Sequence, residues 1–133
     1  MNVSQAVFTL CRLKAEEVFG NNSVYTGAMP PSGTDYPFIT VAYQDVFPMT
    51  TKADSIGIWT VNQTLRAYSD DPDKRGILTN LLEDVSRRLV GIKILDNYRI
   101  ALVNHNYIIN SEDSENEKLL HGRIELEFRV SLL

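Results

Sequence analysis

The chain has 133 residues, of which 44% are hydrophobic and 23% are charged, so it is long enough to form one domain with its own core. These proportions match those of folded globular proteins and exclude a disordered or fibrous chain. The formal charge is −4, from 17 acidic and 13 basic residues, and the basic residues are scattered along the chain. Sequence-independent binding to nucleic acid is therefore not expected.

No stretch approaches the ~20 consecutive apolar residues of a membrane span, and the first residues lack the pattern of a signal peptide. We therefore expect a protein that is made in a cytoplasm and has no membrane partner. Its single cysteine, Cys11, falls on the apolar face of a predicted helix. There it would act as a small buried hydrophobe rather than as a reactive thiol.

The first predicted element is an amphipathic helix from Gln5 to Phe19. Ser4 is its predicted N-cap, and Gly20 supplies a residue that tolerates the left-handed conformation at the C-terminus. The apolar residues recur at the spacing of one helical face. They are Val7, Phe8, Cys11, Ala15, Val18 and Phe19.

Three extended segments follow the helix. Val24–Thr26 is a short predicted strand, and a Pro- and Gly-rich loop separates it from Phe38–Gln44, which is dense in β-branched and aromatic residues. Ile56–Tyr68 alternates between apolar and polar residues, and only Gln63 breaks the alternation. The intervening Asp45–Ser55 is too long for a tight hairpin, so the sequence predicts a projecting loop.

The second predicted helix begins near Asp73 and ends before Gly91. Asp71 can cap its first turn and Pro72 suits the first helical position. Its apolar positions lie on one face, which predicts packing against a sheet. They are Leu78, Leu81, Leu82, Val85 and Leu89.

The C-terminal third is predicted to be extended. Asp96-Asn97 is a tight turn between strands at Ile92–Leu95 and Tyr98–Val103, because both turn residues tolerate positive φ. Asn110–Lys118 is acidic and has no apolar residue, so the sequence predicts a mobile loop. The last strand runs from Leu120 to Leu132 with almost perfect alternation.

The order of helix, strands, helix and strands predicts the α+β class. We expect two helices packed on one face of an antiparallel or mixed β-sheet, in a single domain that spans residues 1–133.

The candidate catalytic and metal-binding residues all have simpler interpretations. His105 and His121 lie on predicted strands without a neighbouring His or Cys at ligand spacing. The acidic group Asp70, Asp71 and Asp73 could bind a metal, but its position before Pro72 favours helix capping.

Glu125 and Glu127 could act as an acid/base pair, but Arg123 and Arg129 flank them, as on a solvated face. The seven glycines form no phosphate-binding motif. The sequence therefore predicts no catalytic site, no cofactor site and no metal site, and hence a protein that is not an enzyme.

Three segments carry a resemblance to a known family. They are a Pro-aromatic strand entry at Tyr36–Val41, the segment Thr64–Ser69 that leads into the second helix, and the closing His121–Phe128 after an acidic loop. With the early helix, this layout resembles the tail-completion or tail-terminator proteins of long-tailed bacteriophages.

The resemblance implies a structural virion protein with no enzymatic activity. Such a subunit forms a homohexameric ring at the head-proximal end of the tail, ends tail-tube polymerisation and joins the tail to the head. The implied partners are other copies of the chain, the tail tube protein and head-completion or connector proteins. Phage DNA would pass through the ring without specific binding, after synthesis of the protein in the host cytoplasm.

Two segments are the predicted interfaces of such a ring. In the first predicted loop, Phe47, Pro48, Met49 and Lys52 are expected to anchor contacts, and the alternative is a flexible hairpin tip with incidentally exposed apolar residues. In the acidic segment, Glu112, Asp113, Glu115 and Glu117 are either simply solvated or positioned to repel the phosphates of passing DNA.

Three alternative functions remain open at the level of sequence. The chain could be a neck or head-completion protein on the portal side, or a non-phage adaptor that captures a partner strand at an open sheet edge. It could also be a small enzyme whose active site has no recognisable motif.

Overall fold

The computed structural model of the protein describes residues 1–27, 30, 33–49, 57–114 and 117–133, and for residues 72, 112–114, 117 and 118 the backbone alone. These residues contain two α-helices, α1 at Val3–Phe19 and α2 at Arg75–Val90. They also contain six strands: β1 Val24–Thr26, β2 Phe38–Pro48, β3 Ile58–Ser69, β4 Ile94–Leu95, β5 Tyr98–Ser114 and β6 Glu117–Leu132.

The strands form one sheet in the order β1-β2-β3-β6-β5-β4. β1 is parallel to β2 and every other neighbouring pair is antiparallel, so the sheet is mixed. Both helices pack on the same face, where they share one hydrophobic core with the sheet. The predicted α+β class is confirmed.

β6 is the centre of this core because it pairs with β3 on one side and with β5 on the other. Its alternate residues face the helices and are buried, each contributing about 1.5–3 kcal/mol where the side chain is a large hydrophobe. These residues are Leu120, Gly122, Ile124, Leu126, Phe128 and Val130. The helices cover them with Val7, Leu10, Cys11, Leu78, Leu82, Val85 and Leu89.

Gly122 sets how closely α2 approaches the sheet. A Cβ atom at this position would lie 2.7 Å from Leu82 Cδ1 and 3.5 Å from Leu78 Cδ2. The first distance is shorter than a van der Waals contact, so any other residue here would require the Leu82 side chain or the helix to move.

Both helix starts differ slightly from the prediction. α1 begins at Val3 and its cap is Asn2, not Ser4: Asn2 Oδ1 accepts from the Gln5 N–H at 2.8 Å and Gln5 Oε1 accepts from the Asn2 N–H at 3.3 Å. This reciprocal capping box satisfies two N-terminal donors at once. Asp71 caps as predicted, but it caps a single 3-10 turn, Pro72–Lys74, and α2 itself starts at Arg75.

The predicted loop at Asp45–Ser55 is wrong over its first part. β2 continues to Pro48, which pairs with Trp59 of β3. A bulge at Ala42 and Tyr43, between Val41 and Gln44, interrupts the ladder and resets the alternation. The side-chain pattern therefore stops before the strand does. Residues 50–56 lie outside the described part of the chain.

Gln63 does not break the alternation of β3, because it occupies the core face between Val61 and Leu65 and is 1% exposed. Its amide nitrogen donates to the carbonyl of Tyr43 at 2.9 Å and to that of Thr64 at 3.1 Å. Its Oε1 accepts from Gln44 Nε2 at 3.0 Å. The buried amide is thus paired with the bulge of β2.

The predicted mobile loop at Asn110–Lys118 is also wrong over its described residues. β5 runs to Ser114 and β6 starts at Glu117, and the two strands pair Glu112 with Leu119 and Asp113 with Lys118. Backbone hydrogen bonds hold such a hairpin without apolar side chains, so the composition did not reveal it. Residues 115 and 116 lie outside the described part.

The predicted turn at Asp96-Asn97, which joins β4 to β5, is confirmed, with Asp96 at φ 55°.

We expect Gly122→Val to destabilise the protein by about 1–3 kcal/mol, because the added atoms overlap Leu82 and require that side chain or α2 to move from its packed position. Urea unfolding followed by circular dichroism measures this. The matched control is Gly76→Ala in the first turn of α2, where an added Cβ meets nothing within 4 Å. That change should stabilise by about 0.5–1 kcal/mol. Equal stability of Gly122→Val and the parent chain would contradict the close packing.

Candidate functional site

The face of the sheet that the helices do not cover is called the open face here. It carries the residues that alternate with the core positions, and most of them are polar or charged. Across β2, β3, β6 and β5 they include Asp45, Asn62, Thr64, Arg66, Arg123, Glu125, Glu127, Asn104 and Asn106.

An aromatic row crosses one end of the open face. The ring centroids of Phe38 and Tyr68 are 5.1 Å apart, and those of Tyr68 and His121 are 4.8 Å apart in a stacked arrangement. Tyr25 and Tyr36 extend the row, at 5.9 Å and 5.2 Å from Phe38. Phe38 is buried and the other four rings are half-buried, so the contacts stabilise the pairing of neighbouring strands.

A shallow cavity of about 340 Å³ lies in the middle of the open face, lined mainly by polar side chains. Its lining spans four strands, from Asp45 on β2 through Asn62 and Glu127 to Asn104 on β5. The cavity is a hollow on this side of the curled sheet. Glu125 also lines the cavity, and it pairs with Arg123 at 3.1 Å. This ion pair fits the prediction of a solvated face of mixed charge rather than an acid/base pair.

The structure separates the two histidines. His105 is exposed on β5 opposite Leu126, whereas His121 stacks on Tyr68 near the start of β6. Within the described residues, no group of three or more His, Cys, Asp or Glu side chains is arranged to hold a metal ion. Asp71 accepts from the Asp73 N–H at 2.9 Å, as a capping residue does.

Cys11 is fully buried in α1. Desolvation in the core raises the pKa of its thiol far above the ordinary value, so the reactive thiolate does not form near neutral pH. The prediction that Cys11 is buried is confirmed.

A second cavity, of about 400 Å³, lies between α2 and β5. It is lined by Glu83, Ser86, Arg87 and Val90 from the helix and by His105 and Tyr107 from the strand. The Tyr107 hydroxyl donates to Glu83 Oε1 at 2.7 Å, and this hydrogen bond, with burial and the negative charge of Glu83, raises the pKa of Tyr107.

The outer edge of β5 is largely uncovered. β4 pairs only with Tyr98 and Arg99, so among the described residues no strand covers the far side of β5 from Ala101 onwards. The segment from Ala101 to Ser111 contains no Asp, Glu, Lys or Arg. Proteins normally protect a long edge with charges, and this edge lacks that protection.

β2 has an open edge as well. β1 pairs with Ile39–Val41 only, which leaves the far side of Gln44–Pro48 without a strand partner in the described part of the chain. Sequence analysis missed both edges, because they depend on the order of strands in the sheet. A partial signal was available in Tyr107, Ile108 and Ile109, which are typical strand residues.

The predicted interface residues fall at opposite ends of the sheet. Phe47 and Pro48 end β2, and Met49 follows them with its Sδ 3.8 Å from Thr60 Oγ1. Phe47 is 52% exposed and Met49 39% exposed. Lys52 lies outside the described residues.

The acidic residues mark the other end, where Glu112 and Asp113 belong to β5 and Glu117 begins β6. Glu115 is not among the described residues. β3 pairs with β6 only as far as Leu120, so the last pairs of the β5–β6 hairpin extend beyond β3. The hairpin end is therefore an acidic projection.

In the described part of the chain, neither helix has the length and apolar character to cross a membrane.

No protein-family model matches the chain, and no curated protein matches it. Its fold is similar to that of a chain in a solved structure described as the virion of a native gene transfer agent particle. The similarity has a TM-score of 0.62 and 19% sequence identity, and it covers 98% of this chain and 96% of that chain. The two chains share a fold over nearly their whole length.

We expect the pKa of Tyr107 to lie above the ordinary range of tyrosine and Glu83→Gln to return it towards that range, because the carboxylate accepts a hydrogen bond from the neutral phenol and opposes the phenolate charge. Ultraviolet difference titration against Tyr107→Phe isolates this residue. Because folding raises the pKa of Tyr107, its hydrogen bond to Glu83 stabilises the folded state at pH values below the ordinary tyrosine pKa. This stabilisation is lost as the pH rises through the raised pKa. Glu17→Gln, on the other helix, is the control and should leave the titration unchanged.

Proposed function

We propose that this chain is a structural protein of a phage-like virion. It forms a homohexameric ring at the head-proximal end of the tail, ends tail-tube polymerisation and joins the tail to the head. The observation that carries the proposal is the fold similarity to a virion chain over 98% of this chain and 96% of that one. The sequence resemblance to tail-terminator proteins supports the more specific placement at the end of the tail.

The two predicted contact regions suit a ring that lies between two other structures. Pro48 is level with Trp59 and Val130 across the sheet, whereas the hairpin end lies at Ser114 and Glu117. Val130 and Glu117 are separated along β6 by about 44 Å, at ~3.4 Å per residue. One end of each subunit can therefore contact the tail tube protein while the other contacts a head-completion or connector protein.

The apolar end fits a protein contact, because Phe47 and Met49 expose large apolar side chains together. The hairpin end fits a surface that passing DNA touches without binding. Its acidic residues repel phosphate, which lowers non-specific adhesion to DNA.

The proposal is tested by light scattering on the purified chain, alone and mixed with tail tubes from a mutant particle that lacks it, followed by electron microscopy of the tube ends. A six-membered ring on the ends of tubes of uniform length is expected. Binding only to portal complexes would instead indicate a neck or head-completion protein. Binding to neither, together with capture of a non-virion partner, would indicate an adaptor.

The apolar end can be tested with the double variant Phe47→Ser, Met49→Ser. We expect loss of ring formation or of head joining, because the exposed apolar contact is removed, and an unchanged unfolding midpoint, because neither side chain is in the core. Ile77→Ser is the control, since Ile77 is 56% exposed on α2, away from the end of β2. Normal joining of heads to tails by the double variant would rule out this contact.

The acidic end can be tested by changing Glu112, Glu115 and Glu117 to Gln and Asp113 to Asn. The chain should fold normally, while the assembled ring should bind more strongly to immobilised DNA at low salt, because four repulsive charges are gone. A variant with Glu17→Gln and Glu83→Gln, which neutralises helix carboxylates, is the control. If the parent ring and the acidic-end variant are retained equally on the immobilised DNA, these acidic residues are simply solvated and do not repel DNA.

A further inference from the structure

We infer that neighbouring subunits of the ring join by strand pairing, with the open edge of β5 in one copy hydrogen-bonded to the open edge of β2 in the next copy. The inference deepens the proposed ring function and rests on it. In each copy the two edges lie on opposite sides of the sheet, with β2 towards one end of the strand order and β5 towards the other. Each copy can therefore use one edge on either side, which is the head-to-tail contact that generates rings.

The β5 edge has the composition of a pairing surface. Its uncovered backbone begins at Ala101, and the segment to Ser111 contains no Asp, Glu, Lys or Arg that would repel an incoming strand. Val103 is 48% exposed and Ile108 40% exposed, so apolar side chains are available for cross-strand contacts. The strands that would block such an edge are short: β4 has two residues and β1 three.

The two open edges lie at the same level of the sheet. Following the register across the strands, Asp45 of β2 is level with Asn62, with Glu127 and finally with Asn104 of β5. Two copies related by rotation about an axis along the strands would therefore bring β2 and β5 together without a shift. Pro48 has no N–H, so it marks the end of the new ladder on β2.

The strand directions also match. β2 pairs antiparallel with β3, β3 with β6 and β6 with β5, so β2 and β5 run in opposite directions in one subunit. Rotation about the strand axis preserves these directions. The edges of adjacent copies consequently meet antiparallel, as almost all strands of this sheet already do.

The curvature of the sheet favours closure of the series of copies. The sheet is curled, and the 340 Å³ cavity forms a hollow on its open face that spans β2 to β5. Copies joined edge to edge would continue this curvature, with the open faces directed inwards and the helices outwards. No charge repulsion opposes this pairing. Asp45 is the one charged residue of Gln44–Pro48, and the β5 edge opposite it has no acidic group.

Disulfide trapping tests the pairing in the full chain. Asp45→Cys is combined in turn with Asn104→Cys and with Asn106→Cys, which are exposed positions on the same face. Within one subunit the two strands are three strand spacings apart, about 14 Å, which is too far for a disulfide. Cys11 is buried and should not react. Under mild oxidation we expect a ladder of linked species that stops at the closed ring.

The single variants are the controls and should give no ladder. A dimer from Asn104→Cys alone would mean that two β5 edges face each other, which overturns the inference. Absence of a link from both double variants, in protein that still forms rings by light scattering, overturns the strand pairing but leaves the proposed function intact. A chain that is monomeric and does not bind tail tubes removes the proposed function itself.

A charge on the edge provides an independent test. Val103→Lys should shift ring formation to a protein concentration at least about tenfold higher, because the ammonium group must be desolvated or displaced when a strand adds to β5. The unfolding midpoint should not change, and Ile77→Lys on α2 should leave assembly unaffected. Equal assembly of Val103→Lys and the parent chain would contradict an interface at this edge.

Discussion

The constraint on which the structure depends is the covering of β6 by two helices on one side only. β6 pairs on both sides and directs a continuous row of large apolar residues towards α1 and α2. Gly122 interrupts that row beneath Leu78 and Leu82 of α2, where an added Cβ would lie 2.7 Å from Leu82 Cδ1. The position of the other strands follows from this contact, because each is held to β6 directly or through a neighbour.

Because the helices cover one face of the sheet, the open face and the strand edges are accessible for other contacts. The open face carries hydrated polar and charged groups around a concave centre. The edges differ from it: they present backbone donors and acceptors that gain free energy only when another strand supplies partners. A fold with a solvated face and two uncovered edges offers backbone groups for repeated strand pairing.

The parts that could be predicted from the sequence are those in which side-chain periodicity and structure coincide. α2, the final strand and the turn at Asp96-Asn97 were predicted because their apolar spacing or turn residues are unambiguous. The ends of β2 and β5 were not, because backbone pairing continued where the apolar pattern stopped. The uncovered edges could not be predicted either, since strand order depends on contacts between residues distant in sequence.

The polar group around Gln63 has a consequence for the accuracy of folding. Gln63, Gln44 and the carbonyl of Tyr43 satisfy one another only when β2 and β3 pair with the bulge in its present place. A slip of one residue would carry Gln63 to the open face and put Asn62 or Thr64 into the core, with the bulge carbonyl left unpaired. An unpaired buried amide costs more free energy than a misplaced apolar side chain. This small amide cluster therefore favours one register of β2 against β3.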